Sequence, residues 1–188
     1  MQPLPNEREL IERAQKGDKA AVGTLYDAYI QAVFEFINYR VGSKDVAEDL
    51  TADVFLRMVR ALPKYTFTGA PFGAWLLRIA TNRITDFYRE KRSEVSDSIL
   101  ENYGSNDPDP FDHLAKAADR TRLQEAMQAL SEDYQTVLIL RFTQELSHTD
   151  VASIMGKSIE AVRVLQHRAL KSLARSLRQS DETEGGGL

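Results

Sequence analysis

The sequence predicts an all-α fold made of two small helical domains. Apolar residues recur at the three- and four-residue spacing of amphipathic helices over most of the chain, as at Val46, Leu50, Val54 and Met58. Short β-branched runs, such as residues 136–140, are too few and too isolated to form a sheet. An acidic segment that contains proline and glycine separates the helical regions, so we expect two domains rather than one.

That segment also sets the predicted domain boundaries. Residues 93–112 contain six acidic residues and no lysine or arginine, and Gly104, Pro108 and Pro110 favour an extended, flexible connection. We expect each domain to enclose its own apolar interior. The predicted divisions are a first domain at 8–92, an acidic linker at 93–118, a second domain at 119–178 and a disordered tail at 179–188.

The composition indicates a cytoplasmic globular protein without a catalytic or metal centre. Of the 188 residues, 43% are hydrophobic and none is cysteine, which excludes disulfides and thiolate metal sites. No apolar run reaches the roughly 18 to 20 residues of a membrane span, and the first residues do not resemble a signal peptide. His113, His148 and His167 lie apart from other metal-ligand residues, and no nucleophile motif occurs. We therefore expect no enzyme activity, cofactor, metal site or membrane insertion.

The formal net charge of -4 conceals two basic segments. Residues 78–92 carry five basic and two acidic residues, and residues 156–178 carry six basic residues and one acidic residue. Positive charge that gathers on separate segments of an acidic chain indicates a nucleic-acid partner.

The first basic segment belongs to a predicted helix with one apolar face. The apolar residues at helical spacing, which we expect in the core, are Phe72, Trp75, Leu76 and Ile79. The opposite side of this helix would carry Arg78, Asn82, Thr85, Arg89 and Arg92.

Residues 147–171 have the pattern of a DNA-binding helix-turn-helix. Ser147 and Asp150 make a capping box for a first helix, and Gly156 suits the left-handed conformation that ends it. Ser158 then caps a second helix, which would enter the major groove. The alternative is a helical hairpin whose basic side is merely solvated. The outer face of the second helix would carry Glu160, Arg163, Val164, His167 and Lys171, with Arg168 alongside.

Four stretches in this order resemble the extracytoplasmic-function group of bacterial RNA polymerase sigma factors. They are ERELIERAQKGDKAAVGTLYDAYI, VAEDLTADVFLRMVRAL, FGAWLLRIATNRITDFYREKR and the closing pair of helices. The resemblance covers about residues 10–92 and 120–175, and it implies the two domains usually called sigma-2 and sigma-4. It further implies a protein that binds core RNA polymerase, reads duplex promoter DNA at the −35 element and holds melted single-stranded DNA at the −10 element.

The resemblance assigns the second helix of the helix-turn-helix to the −35 duplex. Its apolar Val164 would meet a thymine methyl group. The spacing leaves open whether Arg163 or Arg168 contacts a base edge or a phosphate. The residues implied for −35 binding are Ser158, Glu160, Arg163, Val164, His167, Arg168 and Lys171.

The loop before Trp75 corresponds to the loop that captures an unstacked base of the −10 element. Tyr65 and Phe67 would stack on an opened strand. Thr66 and Thr68 would hydrogen-bond an exposed base edge. The alternative is that the two aromatic rings pack inward. Further −10 contacts are implied for Arg78, Asn82, Arg83, Arg89, Lys91 and Arg92.

The helix that contains AEDLTADVF would dock on the largest subunit of core polymerase. Many family members have Gln-Glu where this chain has Ala52 and Asp53, so the charge is kept and a side-chain amide is lost. Phe55 is equally compatible with a place in the core. The implied polymerase contacts are Asp49, Asp53, Phe55 and Arg57. The resemblance also implies that the acidic linker runs toward the active-site cleft and RNA exit path, the alternative being a merely solvated tether. It implies an anti-sigma factor as a further partner.

Two other functions remain open at this point. A conventional dimeric helix-turn-helix transcriptional regulator would need residues 8–92 as its ligand-binding or dimerisation domain. A regulatory protein that sequesters a partner without touching DNA would show no salt-sensitive promoter binding. Comigration with core polymerase in gel filtration favours the sigma factor, whereas a stable homodimer that ignores polymerase favours the regulator.

Overall fold

The structure, a computed structural model, describes residues 4–67, 70–95 and 122–184. Helices account for most of these residues and no strand occurs among them, so the predicted all-α fold is confirmed. The predicted acidic linker lies outside the described residues from position 96 onward. No helix in the described part of the chain is both long and apolar enough to cross a membrane.

The first half of the protein comprises α1 (Glu7–Gln15), α2 (Lys19–Val41), α3 (Lys44–Ala61), a 3-10 turn (Leu62–Lys64) and α4 (Phe72–Val95). Asp18 begins α2, because its side chain accepts hydrogen bonds from the amides of Ala20 and Ala21. Gly42 ends α2 in the left-handed conformation, with a φ of 70°. These two local signals set the length of the helix against which the others pack.

The core of the first half forms where α2, α3 and α4 meet. The predicted apolar stripe of α3 is confirmed, because Leu50, Val54 and Met58 are at most 3% exposed. Phe72 and Leu76 of α4 are fully buried, also as predicted. Burial of each such side chain stabilises the fold by about 1.5–3 kcal/mol.

The second half comprises α5 (residues 122–128), α6 (Glu132–Leu138), a π-helical turn (Ile139–Thr143), α7 (His148–Met155) and α8 (Ile159–Glu184). Ser131 is the N-cap residue of α6, and Glu132 and Asp133 lie in the first turn. Their negative charge is favourable beside the positive end of the helix dipole.

Helix α8 runs past residue 178, the predicted end of the second domain. Residues 179–184, which the sequence assigned to a disordered tail, are helical. The polar residues of this segment tolerate a helix, and the first strong helix breaker is Gly185. The domain boundaries themselves stay a prediction.

The two halves pack directly against each other. Their buried apolar residues form one contiguous cluster, in which α7 contacts α4 and the π-helical turn contacts α2. The expectation of two separate interiors is therefore wrong for this arrangement. The physical reason is size, because a segment of about sixty residues buries only part of its apolar surface alone. Ile154 and Met155 of α7 accordingly line a cleft with Arg40 and Thr81 of the first half.

A buried arginine forms the polar centre of this contact. Arg40, at the end of α2, is 4% exposed, and its Nη1 donates to the Glu132 carbonyl oxygen at 3.1 Å and to the Thr136 hydroxyl. Burial lowers the pKa of its guanidinium group. Within the described part of the chain, Arg40 Nε has no hydrogen-bond partner. Tyr88 of α4 donates to the Arg40 carbonyl oxygen at 2.8 Å, so α2, α4 and α6 are joined at one point.

Removal of this arginine weakens the contact between the halves. Arg40→Ala deletes both hydrogen bonds and leaves a cavity, so we expect the free energy of unfolding to fall by about 2–4 kcal/mol. Thr136 also donates to the Glu132 carbonyl oxygen at 2.7 Å, so that acceptor stays satisfied in the variant. Arg40→Met keeps the aliphatic volume and removes an incompletely paired buried charge, so its loss is smaller. Urea denaturation measures the free energy of unfolding, which should decrease from the wild type to Arg40→Met to Arg40→Ala. An Arg40→Ala variant as stable as the wild type would contradict the role of this arginine.

Candidate nucleic-acid and polymerase interfaces

The helix-turn-helix forms from the local signals that predict it. Ser147 Oγ accepts from the Asp150 amide at 3.1 Å, and the Ser147 hydroxyl donates back to the Asp150 carboxylate at 2.6 Å. Gly156 ends α7 with a φ of 62°. Ser158 Oγ accepts from the Ala161 amide at 3.1 Å and begins α8. The predicted motif is confirmed in its helices, its turn and its caps.

Packing between α7 and α8 fixes the direction of the second helix. Val151 of α7 and Val162 of α8 are fully buried between them. Polar groups brace the same crossing, because the Gln166 side-chain oxygen lies 2.9 Å from His148 Nε2 and accepts from Arg141 Nε at 3.3 Å. These contacts hold α8 with its opposite side facing outward.

We call the outward side of α8 its cationic face, because Arg163, Arg168 and Lys171 lie exposed on it. Arg163, His167 and Lys171 follow one another at one-turn spacing, and all three are exposed. Val164 lies among them and is 50% exposed, as contact with a thymine methyl group requires. The residues predicted for −35 binding are thus all exposed on and before this helix: Ser158, Glu160, Arg163, Val164, His167, Arg168 and Lys171.

Helix α4 turns its polar side away from the core of the first half. Leu76 and Ile84 on the inner side are fully buried. Arg92, near the end of the helix, pairs with Glu132 of the second half at 3.2 Å, although its side chain is 80% exposed. The exposed residues of α4 that the sequence predicted for −10 binding are Arg78, Asn82, Arg89, Lys91 and Arg92.

Arg83 is the exception among the predicted α4 contacts. Its side chain is only 16% exposed and donates to the Asp53 carboxylate at 2.7 Å. The same carboxylate accepts from Arg57 Nε at 3.2 Å, and Arg57 also reaches Asp86 at 3.4 Å. Arg83 therefore belongs to an ion network between α3 and α4, whereas the other predicted cations of α4 are exposed.

The same network keeps Asp53 ionised. Partial burial acts to raise the pKa of the Asp53 carboxyl, but the hydrogen bonds and charges of Arg57 and Arg83 outweigh it and lower the pKa below its usual value. Two of the predicted polymerase contacts, Asp53 and Arg57, thus also tie α3 to α4.

The loop before α4 presents one of its two aromatic rings to solvent. The Tyr65 ring packs inward against Trp75 and Phe72, with centroid distances of 4.7 and 5.4 Å. Burial raises the pKa of the Tyr65 hydroxyl. Phe67, in contrast, is 51% exposed. Inward packing thus describes Tyr65 and not Phe67, while Thr68 lies outside the described residues.

The second half lies against part of the predicted −10 surface. A shallow pocket beside the loop is lined by Thr66 and Trp75, and Ser153 of α7 lines the same pocket. Farther along α4, Asn82 shares a cleft with Met155 of α7. Helix α7 therefore contacts the surface predicted for −10 DNA, whereas the cationic face of α8 is open to solvent.

Helix α3 displays apolar side chains that we did not predict as contacts. Leu56 and Val59 are 57% and 46% exposed, and Asp49 is exposed on the same helix. Phe55, which the resemblance implied as a contact, is 5% exposed and packs edge-on against Tyr26 at 4.7 Å. Phe55 is therefore a core residue in this structure. The sequence does contain a signal for the exposed apolar surface, because Leu56 falls outside the apolar stripe of α3.

Known protein families match both halves of the chain. The family model for sigma-70 region 2 matches residues 25–94, and that for sigma-70 region 4 matches residues 120–173. The ECF RNA polymerase sigma factor BldN of Streptomyces coelicolor is 40% identical over 171 residues, and the alignment covers 90% of this chain but only 65% of BldN. The ECF RNA polymerase sigma factor SigD of Mycobacterium tuberculosis is 31% identical, with 87% of this chain and 80% of SigD covered.

Solved structures share the fold. CnrH, solved in complex with the cytosolic domain of CnrY, matches with a TM-score of 0.71 at 23% identity, with 92% of this chain and 97% of the other covered. The sigma factor RpoE of Bartonella quintana, solved with the anti-sigma factor NepR, matches with a TM-score of 0.72 at 24% identity, with 83% and 96% covered. At these identities the likeness shows a common arrangement of helices.

Asp53→Asn weakens the ion network without emptying the core. Because the carboxylate is 35% exposed, we expect a loss of only about 0.5–1 kcal/mol in the free energy of unfolding at pH 7. The folded pKa of Asp53 lies below its unfolded value of about 3.9, so its stabilisation is present above that pH and disappears as the pH falls through the folded pKa. Thermal unfolding from pH 7 downward should therefore show the variant and the wild type converging. A gap that is independent of pH would contradict the network, and Asp27→Asn, at an exposed position of α2, is the control.

Proposed function

As the chain belongs to the extracytoplasmic-function RNA polymerase sigma factors, we propose that it binds core RNA polymerase and directs it to specific promoters. The observation that carries this proposal is the exposed cationic face of α8, which belongs to a helix-turn-helix whose two helices are both capped. The same chain matches the family models for sigma-70 regions 2 and 4. The protein acts by binding in the cytoplasm, and the chemistry of RNA synthesis belongs to the polymerase.

At the −35 element, α8 lies in the major groove of duplex DNA. Arg163 and Arg168 contact guanine edges or phosphates, and Lys171 contacts a phosphate. Val164 meets a thymine methyl group, and Glu160 accepts from a cytosine amino group. The support for these roles is that all five side chains are exposed on the helix that the turn directs outward.

At the −10 element, the loop before α4 holds an unpaired base. Phe67 stacks on that base, a contact worth roughly 1–3 kcal/mol, and Thr66 hydrogen-bonds its edge. Arg78 and Arg89 neutralise phosphates of the same strand. Arg83 acts indirectly, because its guanidinium group is already paired with Asp53.

Helix α3 docks on core polymerase through a mixed apolar and acidic surface. Leu56 and Val59 supply the apolar contact, which in protein interfaces carries much of the affinity when it becomes fully covered. Asp49 supplies an exposed negative charge that orients the partner. The Phe55 ring supports this surface from below, since it packs against Tyr26.

Promoter binding requires the two halves to separate. The −10 and −35 elements lie about two helical turns apart, roughly 70 Å along the duplex. In the structure, α7 of the −35-binding motif contacts α4, which carries the −10-binding face. Both faces cannot reach their elements while that contact persists. The closed arrangement is therefore the form of the protein before it binds, and polymerase and promoter together select an open form.

An anti-sigma factor is the expected inhibitory partner. The sigma factor RpoE, which has the same fold, was solved with the anti-sigma factor NepR. A partner that contacts both halves would stabilise the closed arrangement and keep the α4 face from DNA. Such inhibition requires the anti-sigma factor to bind the closed form more tightly than the open form.

Run-off transcription tests the proposed function. Purified core polymerase is given a library of fragments from the source genome, with and without this protein. We expect defined transcripts only when the protein is present, from start sites preceded by two shared elements. Absence of specific transcripts, together with no comigration with core polymerase in gel filtration, would overturn the proposal.

Arg163→Ala separates −35 binding from polymerase binding. Because it removes an exposed cation from the α8 face, we expect holoenzyme affinity for a −35 duplex to fall by roughly tenfold and the salt dependence to decrease by about one counterion. Arg178→Ala removes the same charge from the same helix, about 22 Å away, and should have little effect. Fluorescence anisotropy at several salt concentrations measures both variants. Equal loss of −35 binding and of core binding in Arg163→Ala would refute the division of roles.

Leu56→Ser tests the polymerase-binding surface of α3. Leu56 is exposed, so the substitution should leave the melting temperature unchanged while it weakens core binding by about five- to tenfold. Asp49→Ala should also weaken core binding and leave −35 binding intact. Phe55→Ala is the matched contrast, because it empties a core site and should cost about 3–5 kcal/mol of stability. Wild-type core affinity for Leu56→Ser would place the polymerase contact elsewhere.

A further inference from the structure

Helix α1 contains none of the residues proposed to bind DNA or polymerase, and it lies outside the residues matched by the region 2 family model. It is nevertheless firmly attached, because Ile11 and Ala14 are buried at 4% and 6% exposure. Both of its ends bond to the segment that carries Phe67. We propose that α1 braces the base-capturing loop, with Gln15 and Glu7 as positioning residues for −10 strand capture, an inference that rests on the function proposed above.

The C-terminal end of α1 holds the entry to the loop. Gln15 Nε2 donates to the Leu62 carbonyl oxygen at 3.1 Å and to the Tyr65 carbonyl oxygen at 2.7 Å. These carbonyls flank the 3-10 turn, and the second belongs to the residue directly before Thr66. A carboxamide NH₂ group is suited to this task, because its two N–H bonds satisfy two acceptors at once. Phe67 therefore lies two residues after the Tyr65 carbonyl group, whose position Gln15 fixes.

The N-terminal end of α1 holds the exit from the loop. Glu7 is 8% exposed, and its Oε2 accepts from the Phe72 amide, the first of α4, at 3.3 Å. Its Oε1 accepts from the Tyr29 hydroxyl. The carboxylate therefore satisfies one of the amides that a helix start leaves unpaired and lies at the favourable end of the helix dipole. Both ends of the loop are thereby hydrogen-bonded to one helix, α1. Glu7 and Gln15 lie about 12 Å apart along it.

The brace matters because base capture needs a fixed ring. The Tyr65 ring packs on Trp75 and Phe72, so movement of the Tyr65 carbonyl also moves the ring that borders the pocket. Residues 65–67, if held in place before the strand arrives, lose less conformational entropy when it binds. Gln15 and Glu7 therefore support strand capture without touching DNA.

Gln15→Met is the decisive variant, since it keeps the length of the side chain and removes both donated bonds. The probe is a fluorescent non-template oligonucleotide that carries the −10 element of a promoter found by run-off transcription. We expect holoenzyme affinity for it to fall about fivefold in Gln15→Met, and about tenfold in Phe67→Ala. Gln31→Met is the matched control, because Gln31 is an exposed glutamine of α2 whose amide, among the described residues, donates to its own helix neighbour Glu35. Affinity for a −35 duplex should be unchanged in all three.

The outcomes distinguish the brace from the function on which it rests. Wild-type affinity of Gln15→Met beside a weakened Phe67→Ala would overturn the brace and leave the proposed function standing. A wild-type holoenzyme that does not bind the −10 strand would overturn both. Should Gln15→Met fail to fold, Glu7→Gln replaces it, because it leaves one acceptor oxygen for two donors and should weaken −10 binding alone.

Trp75 provides an independent readout in the full-length protein without DNA. It is the single tryptophan of the chain and lies 4.7 Å from the Tyr65 ring. If Gln15 positions Tyr65, then Gln15→Met should shift Trp75 emission to the red and increase its quenching by acrylamide, with unchanged helical circular dichroism. Unchanged Trp75 emission together with unchanged −10 affinity would refute the brace, and a fall in melting temperature alone would show a merely structural role.

Discussion

The packing of α4 is the constraint on which the rest of the structure depends. Phe72, Leu76 and Ile84 bury one side of this helix completely, so its other side must face outward with Arg78 and Asn82. A rotation of α4 would exchange apolar for cationic groups at a cost of several kcal/mol. The residues proposed to contact −10 DNA therefore lie on a helix whose orientation the core determines. The start of the same helix is bonded to α1, which fixes the preceding loop in the same frame.

The contact between the halves follows from the same constraint, because α7 rests on the outer side of α4. Its polar centre is a buried arginine with an unpaired nitrogen in the described part of the chain, and an incompletely paired charge is a weak source of stability. Contacts between domains of one chain commonly resemble transient interfaces. In the function proposed above, water and DNA replace the polar contacts of this interface when polymerase binds. Arg83 differs from Arg40, because its charge is paired with the Asp53 carboxylate and this pair joins α3 to α4.

Local signals made the helix-turn-helix predictable, because the capping serines and Gly156 act on their own neighbours. The burial of Leu50, Val54 and Met58 was predictable for a similar reason, as periodicity alone indicates the inner side of a helix. Contacts between distant residues leave no such pattern. Arg40 meets Thr136 across 96 positions, and Gln15 meets Leu62 across 47, so neither the closed arrangement nor the brace was predicted. The sequence left open whether Phe55 is buried, because the width of the buried stripe of a helix depends on the elements that pack against it.

We propose that one side of α4 contacts α7 in the free protein and DNA in the promoter complex. The chain has no cysteine, so spin labels can be attached to cysteines introduced at Tyr39 and Arg178, two exposed positions in different halves. Double electron–electron resonance then measures the distance between the labels. We expect one narrow distribution for the free protein and a clear shift to longer distances in the complex of holoenzyme with promoter. The same distribution in both states would contradict it.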